Sequence, residues 1–122
     1  MEKKQIIRSV FKDTHLEGKN IVNLTPHTIN LVVGKEETIT IEPEGDMVAR
    51  AREEVIAASR HLKKMRITEV IDLPEPQEDT VFIVSKLVAI ISNRTDLLVP
   101  CDFVRDEDNR IIGCRNLSML EG

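Results

Sequence analysis

The sequence predicts an α+β fold: an antiparallel β-sheet core of hairpins with a few short helices, including an N-terminal amphipathic one. Three observations carry this. Apolar residues alternate at a period of two in Ile29–Val33 and Thr38–Glu42. Turn residues separate these and later short runs, as at Val33–Thr38, Pro43–Asp46 and Asp106–Asn109. Helical spacing is confined to brief segments near the N-terminus, in the middle and after Ser85.

Ile6, Ile7, Val10 and Phe11 recur at helical spacing within residues 4–16, and Gly18 stops the segment. A helix of about three turns is marginal alone, so this face should dock on the domain or on another subunit. Asn20–Val33 reads as a strand, a stiff proline corner and a second strand. The corner carries Thr25-Pro26-His27, whose hydroxyl and imidazole can serve a ligand or can equally cap the turn.

Residues 47–66 are open between two readings. Val48, Ala51, Val55, Ala58, Leu62 and Met65 fall at helical spacing, and the Ala, Glu, Arg and Lys content favours helix. The neighbouring hairpins favour strand. Met65–Leu73 alternates like a strand and ends at Pro74 and Pro76. Thr80–Val84 is a continuous apolar run of strand length. Ser85 can cap a helix over Lys86–Ser92 that stops at Asn93. Leu97–Val99 reads as a short strand closed by Pro100, and Phe103–Leu117 as a final hairpin. The whole is expected to be one domain over 1–122, with 1–18 as the N-terminal helix and 19–118 as the sheet core.

Composition narrows the function. The net charge is −4, which disfavours a general DNA or RNA binder, since such proteins need a basic field. No run reaches the ~18–20 apolar residues of a membrane span, and the first residues do not resemble a signal peptide. Two cysteines, Cys101 and Cys114, suggest no disulfide framework and an intracellular setting. The only aromatics are Phe11, Phe82 and Phe103, so base stacking has few candidates.

Little points to an enzyme. The histidines His15, His27 and His61 stand far apart, and no His-Glu-x-x-His, paired Cys-x-x-Cys or glycine-rich phosphate loop occurs. The chain is read as non-enzymatic, with no cofactor and no metal. One constellation could bind a ligand: Phe82, Asn93, Arg94, Thr95, Asp96, Arg110 and Arg115. Arginine offers a planar fork for phosphate and a face for a purine, a phenylalanine could complete a sandwich, and loops commonly carry binding residues. The competing reading pairs Arg94 with Asp96, puts Arg110 on a hairpin turn and Phe82 in the core.

A series of segments adds a resemblance: Asn23-Leu-Thr-Pro-His27, Glu42-Pro-Glu-Gly45 ahead of Val48-Ala-Arg50, Leu73-Pro-Glu-Pro76, Phe82-Ile-Val-Ser85, Arg94-Thr-Asp-Leu-Leu-Val-Pro100 and Arg110-Ile-Ile-Gly-Cys-Arg-Asn-Leu117. In this order the chain, from about Asn20 to Leu117, resembles the first family of phage Thoeris anti-defence proteins. The resemblance implies a sponge that holds a cyclic ADP-ribose isomer intact and so starves a killing effector, with cyclic di- and trinucleotides of CBASS defence as further ligands. It implies action in the host cell cytoplasm, homo-oligomers in which dimers group into hexamers, and ligand pockets between subunits. Carried onto this chain it makes Phe82 the stacking aromatic and Asn93, Arg94, Arg110 and Arg115 the polar wall, with Thr25 and His27 as lesser contacts. The family reads residues 47–70 as a hairpin, whereas Ile56–Lys64 is helix-prone here, so Arg50, Arg52 and Arg60 stay outside that site. The alternative is a small phage or prophage module that binds a host protein through the sheet and the N-terminal helix.

Overall fold

A computed structural model describes residues 11–14 and 16–121. In chain order its elements are β1 (Asn20–Asn23), β2 (Ile29–Val32), β3 (Thr38–Ile41), β4 (Arg50–Ser59), β5 (Leu62–Ile71), β6 (Thr80–Ile83), α1 (Lys86–Ser92), β7 (Leu97–Arg105) and β8 (Ile111–Ser118). Six strands form one sheet in the order β1-β6-β7-β8-β2-β3, and β4 and β5 form a second, two-stranded sheet. The broad α+β class holds, with α1 as the single helix among the described residues. The expected N-terminal helix falls mostly outside those residues; of its span, Phe11–Thr14 are in turn and bend conformation.

The sheet is mixed, which corrects the all-antiparallel expectation. β1–β6, β6–β7 and β2–β8 are parallel, whereas β2–β3 and β7–β8 are antiparallel. The reason lies in the connections: α1 carries the chain from the end of β6 back to the start of β7, a crossover that only a parallel pair requires. All four residues of β6 are buried, as expected of a parallel strand covered on both faces. Val81 and Ile83 join one apolar cluster with Leu31, Ile39, Ile41, Leu98 and Cys114, against which Phe11 packs. Phe82 belongs to the other, with Leu24, Val84, Val88, Ala89, Leu97 and Val99. β7 also runs longer than expected, continuing through Pro100 to Arg105.

The sheet curls on itself. β1 lies at one end of the strand order and β3 at the other, yet residues 24–28 alone connect β1 to β2. A parallel bridge between Asn23 and Pro43 joins the two ends, and the Glu44 N–H donates to the Asn23 carbonyl at 2.8 Å. Closure of this kind leaves few unpaired edges. It also brings β2 against β8, where Gly113 is required: a Cβ there would stand 2.7 Å from the Asn30 carbonyl oxygen.

Within residues 47–66, 50–59 and 62–66 resolve as strand, joined by a turn at 60–61. β4 and β5 pair from Arg50↔Ile71 to Ser59↔Leu62, with register shifts after Arg52 and Val55 and a turn in which His61 has φ 54°. Cross-strand ion pairs link Arg52 to Glu69 at 2.9 Å and Arg66 to Glu54 at 3.7 Å. Being exposed, each adds little stability. No helix among the described residues is long and apolar enough to cross a membrane.

Candidate functional site

The corner between β1 and β2 is organised by Asn23, which is buried. Its Nδ2 donates to the carbonyls of His27 at 2.8 Å and Ile41 at 3.0 Å. Its Oδ1 accepts from the Thr25 N–H at 2.9 Å and the Thr25 hydroxyl at 2.7 Å. Thr25 therefore serves the turn, the second of the two roles its sequence context allows. His27 is exposed and lines a groove.

That groove has a volume of about 890 Å³. The carboxyl ends of the parallel strands β1 and β6 lead into it, bringing residues 25–28 from one side and Val84, Ser85 and Lys86 from the other. β7 contributes Val99, Pro100 and Phe103, and β8 contributes Ile111, Ile112, Gly113 and Cys114. Phe103, Ile111 and Ile112 are each about half exposed, so the walls are apolar and open to a ligand. Polar reach comes from Thr28, Asn30 and Ser85, and positive charge from Lys86. Asn30 is held in place: its Oδ1 accepts from the Thr40 hydroxyl at 3.1 Å and its Nδ2 donates to the Ile112 carbonyl at 3.4 Å.

No Asp or Glu lines the groove, although acidic residues outnumber basic ones 21 to 17 in the chain. An acid-free wall with a lysine favours an anion, and the ring of Phe103 suits a flat base. Cys114 is not an activated nucleophile: burial pushes its thiol above the ordinary range, and the neighbouring Cys101 adds to the effect. Among the described residues no group of three His, Cys, Asp or Glu side chains could hold a metal.

The constellation singled out in the sequence does not gather here. Phe82 is 1% exposed in the core, so its ring offers no face to a ligand. Arg94 grips the Asp96 carboxylate through Nε, at 2.9 Å, and Nη2, and its Nη1 donates to the Pro74 carbonyl at 2.8 Å. Asn93 is the left-handed cap that ends α1, with φ 49° and its N–H donating to the Ala89 carbonyl. That places it at the far end of the helix from Lys86, about 10 Å along the axis. Arg110 is paired with Asp106 and Asp108 at the β7–β8 turn. Arg115 is exposed on β8. None of that constellation lines the groove; of the residues that the resemblance assigns to the site, only Thr25 and His27 do.

Sequence reasoning missed Asn30, Lys86, Phe103, Ile111 and Ile112. A signal existed for Phe103: it is one of three aromatics and follows Asp102 in a segment rich in charge, where an aromatic is costly to leave open without use. No protein family, curated protein or solved structure matches this chain.

Proposed function

We propose that the protein is a non-catalytic sponge for a cyclic nucleotide signal, the work implied by its resemblance to the first family of Thoeris anti-defence proteins, with the groove beside Thr25-Pro26-His27 as the ligand's seat. The observation that carries this reading is the groove's lining, which combines an open aromatic, fixed amide and hydroxyl groups and a lysine with no carboxylate. A volume of about 890 Å³ lies within the range of small-molecule sites and accommodates a nucleotide of two riboses and a purine. Stacking on Phe103 would contribute about 1–3 kcal/mol per base, and a desolvated lysine–phosphate contact a similar amount. A few such contacts on strands that are already in place reach nanomolar affinity, about −12 kcal/mol.

The test is equilibrium dialysis against the cyclic ADP-ribose isomer, followed by heat release of whatever the protein holds. The sponge returns the ligand chemically unchanged. A cleaved product would point to an enzyme instead.

A second reading, a module that binds a host protein, draws on α1, whose Leu87, Ile90 and Ile91 are 39%, 57% and 39% exposed. Apolar side chains in a row on one short helix are a usual docking feature. Capture of a single host protein by the wild type, lost on Ile90→Asp, would favour it.

A further inference from the structure

Among the residues that line the groove, Asn30 has a side chain whose hydrogen-bonding capacity is only half used. It stands in β2 with β3 on one side and β8 on the other. Leu31 of β2 and Ile39 of β3 point into the core. Asn30 and its pairing partner Thr40 alternate with them and so occupy the opposite face. The Asn30 Oδ1 accepts from the Thr40 hydroxyl on β3 at 3.1 Å, and its Nδ2 donates to the Ile112 carbonyl on β8 at 3.4 Å. A carboxamide carries two N–H donors and two oxygen lone pairs. One of each is spent, and one of each remains. Because the two bonds draw oxygen and nitrogen toward opposite strands, the amide lies across β2. Its free donor and free acceptor are then side by side on the outer edge.

The space beside this edge is clear. A Cβ at Gly113 would stand 2.7 Å from the Asn30 carbonyl oxygen and 3.5 Å from the Asn30 Cβ, so the stretch of β8 next to Asn30 carries no side chain. Gly113 and Asn30 both line the groove. On the far side of β8 is β7, where Val104 pairs with Gly113 and Phe103 with Cys114. β7 is two strand spacings from β2, about 10 Å. A base held against Phe103 therefore has its edge over β8, toward the amide.

We propose that Asn30 reads the base of the bound nucleotide, holding adenine through two hydrogen bonds: its Nδ2–H donates to N7, and the N6 amino group of the base donates to Oδ1. Adenine presents that donor and acceptor next to each other, and a carboxamide matches both. This role rests on the nucleotide reading of the groove and assigns the edge by which the base is held.

The experiment is titration calorimetry with three ligands that differ only in the base: the cyclic ADP-ribose isomer, its analogue without the N6 amino group, and its guanine analogue. The wild type should bind the amino-deleted ligand at least about tenfold more weakly than the adenine form. Asn30→Asp replaces the free donor with an acceptor, which opposes adenine N7 and suits the N1–H and N2–H donors of guanine. The ratio of adenine to guanine affinity should fall at least about tenfold in that variant. Asn30→Ala should bind the adenine and amino-deleted forms alike. An amide that only ties β2 to its neighbours would, on substitution, weaken all three ligands together and leave their ratios at the wild-type values. Such unchanged ratios, or a wild type indifferent to the amino group, would overturn the role of Asn30 and leave the groove standing as a nucleotide site. No binding of any of the three by the wild type would overturn both. The amino-group comparison needs no variant, so it decides the matter even where a substitution prevents folding.

Discussion

At position 113 a single methyl group decides whether two strands can meet. The Cβ of an alanine there would lie 2.7 Å from the Asn30 carbonyl oxygen, backbone that is itself fixed by strand pairing. Gly113→Ala should cost about 1–3 kcal/mol, seen as a lower urea midpoint; an unchanged midpoint would mean that β2 and β8 do not approach this closely. The phenylalanines divide in the same way. Phe82→Ala opens a cavity between α1 and the sheet and should lose about 3–5 kcal/mol of stability. Phe103→Ala should leave the melting temperature nearly unchanged and weaken ligand binding instead, by about 1–3 kcal/mol. Thermal denaturation and titration of the two variants separate a core ring from a site ring. The sequence alone does not distinguish them. Both stand in apolar or alternating strand segments, and which side of a strand faces the core depends on neighbours that are remote in the chain. The same limit hid the role of Arg94: its Asp96 partner was legible two residues away, whereas the Pro74 carbonyl was not.

Elements were more legible where local chemistry determines them. Ser85 caps α1 as its position suggests, its hydroxyl accepting from the Val88 N–H at 3.3 Å, and Asn93 closes the helix in the left-handed conformation. Ser85→Ala should cost about 1 kcal/mol, measured by chemical denaturation; no loss would show that packing of Val88 and Ala89 alone holds the helix. The turns at 33–38 and 106–109 also stand where their residues place them. Residues 47–66 show the opposite case. Their Ala, Glu, Arg and Lys content favours helix intrinsically, yet the pairing of β4 with β5 makes 50–59 and 62–66 strand, because tertiary partners outweigh propensities of a few tenths of a kcal/mol. Parallel pairing was equally invisible, since it depends on how α1 crosses back over the sheet rather than on any residue in the strands.

For the whole molecule, the curl of the sheet creates the groove. It brings the ends of β1 and β6 beside β7 and β8, and so assembles residues from 25 to 114 that no local pattern connects. The charge plan of the chain leaves that groove free of carboxylates while the turns around the body are acidic. The central claim is that this lining seats a cyclic nucleotide signal. The most direct measurement is titration calorimetry of the wild type and Phe103→Ala against the cyclic ADP-ribose isomer, with linear ADP-ribose as the control. Nanomolar binding of the cyclic form alone, weakened at least about tenfold by Phe103→Ala, is the predicted result. No heat with the cyclic form, or tight binding that Phe103→Ala leaves intact, would contradict it.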